Sequence, residues 1–107
     1  MISDHDMQQW KVLRPKCIDR FCQTTFELIH ELMVCDDSLH DRHRRLCQLV
    51  SRRDTELTQK LDPHPRSTKC QLLNLYRDDL IKDTDLEQFS EGLCTYLIAS
   101  KAGSVSV

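Results

Sequence analysis

With 107 residues, 39% of them hydrophobic and 30% charged, the chain is long enough for one domain and too apolar for a disordered one. Its formal net charge of −2 at pH 7 gives it no general attraction for nucleic acid or acidic membranes. Glycine, which tight hairpins and phosphate-cradling loops need for positive φ, occurs only at Gly92 and Gly103, which argues against a β-rich fold or a nucleotide-binding loop.

Residues 1–13 read as a flexible N-terminal arm anchored by Trp10 and Leu13. Pro15 is placed to open the first helix, because the first turn tolerates its missing donor. From Lys16 to about Val34, Ile18, Phe21, Cys22, Thr25, Ile29, Leu32 and Met33 recur mostly at spacings of three and four, one face of an amphipathic helix. Phe26 and Leu28 widen that face, so this helix is expected to be the most buried of the set. Asp36-Asp37-Ser38 supplies a break, and Ser38 with Asp41 forms a variant capping box. Helix two is then expected from Leu39 to Leu61, with a seam of Leu39, His43, Leu46, Val50, Arg53, Leu57 and Leu61 at heptad-like steps.

Asp62-Pro63-His64-Pro65 ends helix two, since residues before proline leave the α region. Ser67 or Thr68 caps a third helix running to about Asp79, with Leu72, Leu73 and Tyr76 inward and Leu80 and Ile81 plugging the core. Thr84 to Glu87 has the form of a capping box, and Ser90 can cap again. A short helix at 85–89 and a last one from about Glu91 to Ser100 follow, with residues 101–107 as a frayed tail. The expected fold is all-α: a single bundle of about four helices over residues 14–100, in which a long hairpin of the first two helices precedes two or three shorter ones.

Charge is uneven along this order. Residues 37–61 hold six Lys/Arg against four Asp/Glu, whereas residues 71–107 hold three against six. Met1 to Trp10 is mostly polar, unlike a signal peptide, and no apolar run approaches the roughly 18 residues a span needs. A cytoplasmic location without membrane partners is the expectation.

The cysteines stand at 17, 22, 35, 47, 70 and 94. No two are separated by two residues, so the C-x-x-C knuckle of zinc modules is missing. Cys22, Cys94 and Cys47 fall on or beside apolar faces, where a free thiol behaves as a small hydrophobe. Cys17 and Cys35 bracket helix one and read as the more exposed pair. His40, His43 and Cys47 share one stripe of helix two, a spacing that can present three ligands to a transition metal. Arg42, Arg44, Arg45, Arg52 and Arg53 form a basic cluster, but they point several ways around the axis and are interspersed with Asp41, Asp54 and Glu56, the pattern of a solvated face. Arg53 differs, because the seam places it between Val50 and Leu57. There it must snorkel or pair, for instance with Asp78 or Asp79, or else mark the edge of a groove or dimer contact.

The stretch Leu72 to Leu93 loosely has the layout of a helix–turn–helix. Its second element, however, starts Asp83-Thr84-Asp85-Leu86-Glu87, which would repel phosphate. G-x-S-x-G and H-E-x-x-H are missing, and no spacing selects an acid–base pair. The sequence therefore reads as a non-catalytic protein-interaction or regulatory module with no cofactor and no small-molecule substrate. It would self-associate or dock a protein partner through an apolar-plus-arginine face carrying Arg45, Arg52 and Arg53. A metal- or thiol-dependent sensor using His40, His43 and Cys47 is the alternative, and nucleic-acid binding through the helix-two arginines is a weaker second.

Overall fold

The computed structural model describes residues 2–105 of the chain. Four α-helices follow in order, α1 (Asp4–Met33), α2 (Leu39–Lys60), α3 (Thr68–Arg77) and α4 (Glu91–Val105), with a 3₁₀ helix (Asp83–Gln88) between the last two. The fold is all-α, and no strand occurs among the described residues.

The first helix starts twelve residues earlier than its expected opening at Lys16. Ser3 is its N-cap, accepting a bond from the Asp6 amide at 3.2 Å, and Asp4 and Asp6 place negative charge at the positive end of the helix dipole. Residues 4–13, expected as a flexible arm, are thus helical, with Trp10 and Leu13 buried. Pro15 sits inside α1, where a lost i→i−4 bond and the ring's clash cost about 3 kcal/mol. Burial of Leu13, worth roughly 1.5–3 kcal/mol, and of Trp10 outweighs it, and the bonds from Ser90 to Asp6 add to the gain.

The earlier start also resets the phase. Trp10, Leu13, Cys17 and Phe21 form the inward stripe, at steps of three and four, and Cys17 is wholly buried rather than exposed. Its thiol donates to the Leu80 carbonyl at 3.3 Å. Together with Leu61, α3, Leu80, Ile81, the 3₁₀ helix and α4, this stripe closes a single core. The most buried helix is α3, not α1: five of its ten residues are buried, against six of thirty in α1.

Polar bonds lock this base together. The Asp6 carboxylate accepts from both the amide and the hydroxyl of Ser90, each at 2.6 Å, so the first turn of α1 caps the start of α4. Arg20 donates to the Leu80 carbonyl at 2.8 Å and to Asp85 at 2.5 Å, and Asp85 also accepts from the Lys82 amide. The Gln71 amide donates to the carbonyls of Lys60 and Asp62, which closes the end of α2 onto α3. Thr84, expected as a cap, is exposed inside the 3₁₀ helix, because the acceptor at its start is Asp85. The expected frayed tail is helical over 101–105, and residues 106 and 107 lie outside the described residues.

The end of α3 carries a strained residue. Asp79 has φ +62°, while the Leu80 amide bonds the Leu75 carbonyl at 2.9 Å and the Asp79 amide that of Tyr76 at 3.2 Å. This is a Schellman cap with Asp where glycine is preferred, and buried Leu75 and Leu80 supply its apolar contact. Asp79→Gly is expected to stabilise the protein by about 0.5–1 kcal/mol, read as a higher urea midpoint at unchanged slope. The exposed Asp79–Lys101 pair, at 3.4 Å, subtracts little. A lower midpoint would mean that the chain does not take this turn in solution.

The molecule is elongated. Its extents are 52 × 30 × 23 Å and its radius of gyration is 16.7 Å, against about 13 Å for a spherical domain of this length. The excess is an arm in which the second half of α1 and most of α2 lie against each other beyond the core. Five residues connect the two helices, and Arg42 donates back to the Met33 carbonyl at 2.7 Å near the tip.

Candidate docking face

Two helices can cover only one stripe of each other. Along the arm the half-buried or buried positions include Leu28, Ile29, Leu32, Leu46, Leu49, Arg53 and Leu57. This corrects the expected seam. Leu46, Arg53 and Leu57 belong to it, but Leu39 is 77% exposed, Val50 46% exposed and His43 exposed. In fact α2 has no buried residue along its 22 positions. The apolar surface of α2 is wider than one neighbour covers, so part of it faces outward.

Arg53 fixes how the two helices meet. Its guanidinium lies 3.7 Å from the Phe21 ring centroid, and it donates to Thr25 Oγ1 at 2.8 Å and to the Phe21 carbonyl at 3.0 Å. Glu56, at 3.7 Å, lies beside it. The pairing with Asp78 or Asp79 does not form: those carboxylates meet Lys60 and Lys101 instead.

Beside this seam runs an apolar face. Phe26 and Met33 on α1 are 68% and 63% exposed, and with Leu39 and Val50 on α2 they border two shallow hollows. One, of about 170 Å³, lies between Phe21, Phe26, Val50 and Leu57; the other, of about 260 Å³, lies at the tip between Met33, Leu39, His43 and Leu46. The opposite side is polar. There Arg45 and Arg52, both exposed, rim with Glu31 and Gln48 a hollow floored by Leu28, Leu32 and Leu49; Arg45 pairs with Asp37, and Arg52 with Glu56 at 3.7 Å. Val50 and Arg52 diverge by about 160° around a helix of 3.6 residues per turn. The apolar residues and the two exposed arginines therefore occupy different sides of the arm, and Arg53 lies between them in the seam.

His40, His43 and Cys47 are all exposed, and among the described residues no group of three or more His, Cys, Asp or Glu side chains is disposed to hold a metal ion. Cys17 and Cys94 are the enclosed thiols of the base, and Cys70 on α3 is exposed. Burial pushes Cys17 up to about 11, with Arg20 opposing and Asp85 adding, so it is a protonated thiol at neutral pH. Cys94 is raised for the same first reason and then by Asp6, and its thiol donates to the Leu86 carbonyl at 2.8 Å. Tyr76, whose hydroxyl donates to Asp83 at 2.5 Å, is pushed up to about 12 by that bond. These groups serve the joints of the base.

No family model matches the chain, and no curated protein or solved structure is significantly similar to it. Among the described residues no helix is long and apolar enough to cross a membrane.

Proposed function

We propose that the protein is a non-catalytic interaction module: the base holds the arm out, and the apolar face of the arm binds a helix of another polypeptide chain. The observation that carries this is the contrast within one molecule. The base holds a closed core from Trp10 to Leu97, with Val12 and Ile98 exposed singly, whereas Phe26, Met33, Leu39 and Val50 stay 46–77% exposed along one face. Single exposed apolar side chains are ordinary, but a contiguous apolar strip with a polar border marks a binding surface. Helix-in-groove docking uses anchors of this kind. Arg53 acts from beneath, by setting the register of the two helices that form the groove.

A photo-crosslinking residue at position 39 of the full chain, expressed in its own cell, tests this. Position 12 is the control, since Val12 is equally apolar and 67% exposed but lies on α1 away from the arm. Discrete protein adducts from position 39 and none from position 12 are expected. The same adducts from both positions, or none from either, would overturn the reading.

A further inference from the structure

We infer that the occupant of the apolar face is a basic amphipathic helix, one that carries Lys and Arg on both flanks of its apolar stripe. The inference rests on the docking reading above and adds the chemistry of what docks.

The charges that border the inner half of the face are carboxylates, and the chain leaves them unpaired. On α1, Asp19 and Glu27 line a broad, shallow hollow together with Cys22 and Phe26. On α2, Asp54 lines the hollow between Phe21, Phe26 and Val50. All three acids are exposed, and among the described residues none of them makes an ion pair. Neither Glu27 nor Asp54 has a Lys or Arg three or four residues away, the spacing at which a helix neutralises its own charges. Elsewhere on the arm the opposite holds: Asp37, Asp41 and Glu56 are taken up by Arg45, Arg44 and Arg52.

Two cations approach the face, and the chain itself uses both. Arg53 lies beneath it, over the Phe21 ring and beside Glu56, and Arg42 closes the tip by donating to the Met33 carbonyl. Around Phe26 and Val50 the face is therefore an apolar strip between negative flanks.

That arrangement selects among occupants. An anionic lipid surface would be repelled by the flanking acids. A second copy would bring the same negative flanks against each other. A helix with Lys and Arg beside its apolar stripe sets its cationic heads over Asp19, Glu27 and Asp54, while its apolar anchors enter the hollows. Leu39 to Val50 spans about 17 Å along α2, room for about three turns of such a helix.

Fluorescence anisotropy of two synthetic helices titrated with the full chain reads the outcome. Both peptides carry one leucine stripe over about four turns, flanked by Lys in one and by Glu in the other. The Lys peptide is expected to bind about tenfold more tightly or better, with the gap closing at about 1 M salt. Asp19→Asn, Glu27→Gln and Asp54→Asn together should weaken the Lys peptide about tenfold and leave the Glu peptide no weaker. Leu39→Ser should also weaken the Lys peptide, which attraction between charges alone would not explain. These side chains are all exposed, so the variants keep the circular dichroism of the wild type. Equal binding of the two peptides, or Lys-peptide binding indifferent to the triple variant or to Leu39→Ser, overturns the inference. Mass spectrometry of the adduct at position 39 separates it from the docking reading. A captured segment of a different protein in which Lys and Arg outnumber Asp and Glu is expected. A segment without that excess, or one from a second copy, overturns the inference while the docking reading stands; no adduct overturns both.

Discussion

Asp6→Ala is expected to cost about 3 kcal/mol of stability, lowering the melting temperature by roughly 12–20 °C in a domain of this size. The Asp6 carboxylate is only 2% exposed and holds the Ser90 amide and hydroxyl at 2.6 Å. Charge-assisted bonds of this kind each contribute about 1.5–3 kcal/mol, and their loss also leaves the start of α4 with an orphaned donor. Asp6→Asn, which keeps the shape but not the charge, should lose about half as much, and Ser90→Ala in the Asp6→Ala background should add only the roughly 1 kcal/mol of its own cap to the Leu93 amide. Burial alone would raise the Asp6 carboxyl. The Ser90 hydroxyl and amide, the bond to Ser3 and the neighbouring His5 outweigh it and hold Asp6 below the usual carboxylate value. Its folded pKa is therefore depressed. The stability it supplies is fully present above about pH 4 and is lost as pH falls through the depressed value. Asp85 follows the same sign: burial acts to raise it, while the bonds from Arg20 and the Lys82 amide lower it. Acid unfolding of the wild type should thus flatten in Asp6→Ala. A melting temperature within 2–3 °C of wild type at neutral pH would mean that this clamp does not exist in solution.

The helix boundaries that the chain spells out are the ones with local chemistry. Ser38, Ser67 and Ser90 stand where α2, α3 and α4 begin, and the Pro63–Pro65 segment separates α2 from α3. The start of α1 carries the same signal, Ser3 followed three residues later by Asp6, as the start of α2 does with Ser38 and Asp41. Pro15 masks it, because a proline reads as a helix opening unless tertiary packing makes up for its lost bond. A helix opened at Pro15 has a different inward stripe, on which Cys17 looks exposed although it is buried. Arg53 was legible as a charge on the seam. Its partners were not, since a backbone carbonyl and a ring face leave no mark in the sequence. The docking face was hidden for a different reason. Periodicity reveals how wide an apolar stripe is, not how many neighbours cover it, so Leu39 and Val50 read as core.

Leu72→Ala is expected to destabilise the protein by about 3–5 kcal/mol, and Leu46→Ala by about 1 kcal/mol in the single chain. Leu72 is wholly enclosed in the close-packed core of the base, so its removal leaves a cavity there. Leu46 is half-buried between two helices with one side open, so truncation removes less contact and the gap is already wet. Denaturant melts of both variants check the ratio. The position of the probe matters as much as the size of the loss. A tryptophan signal from Trp10, which sits in the base, should report the full effect of Leu72→Ala and almost none of Leu46→Ala. Amide exchange along α2 should show the reverse, because residues 42–56 open locally without unfolding the base. If Leu46→Ala instead costs several kcal/mol, and the cost grows with protein concentration, then Leu46 is enclosed in solution by something the single chain does not supply. That result would place a partner over the hollow between Met33, Leu39 and Leu46. Equal losses for the two variants at every concentration would mean that arm and base unfold as one unit.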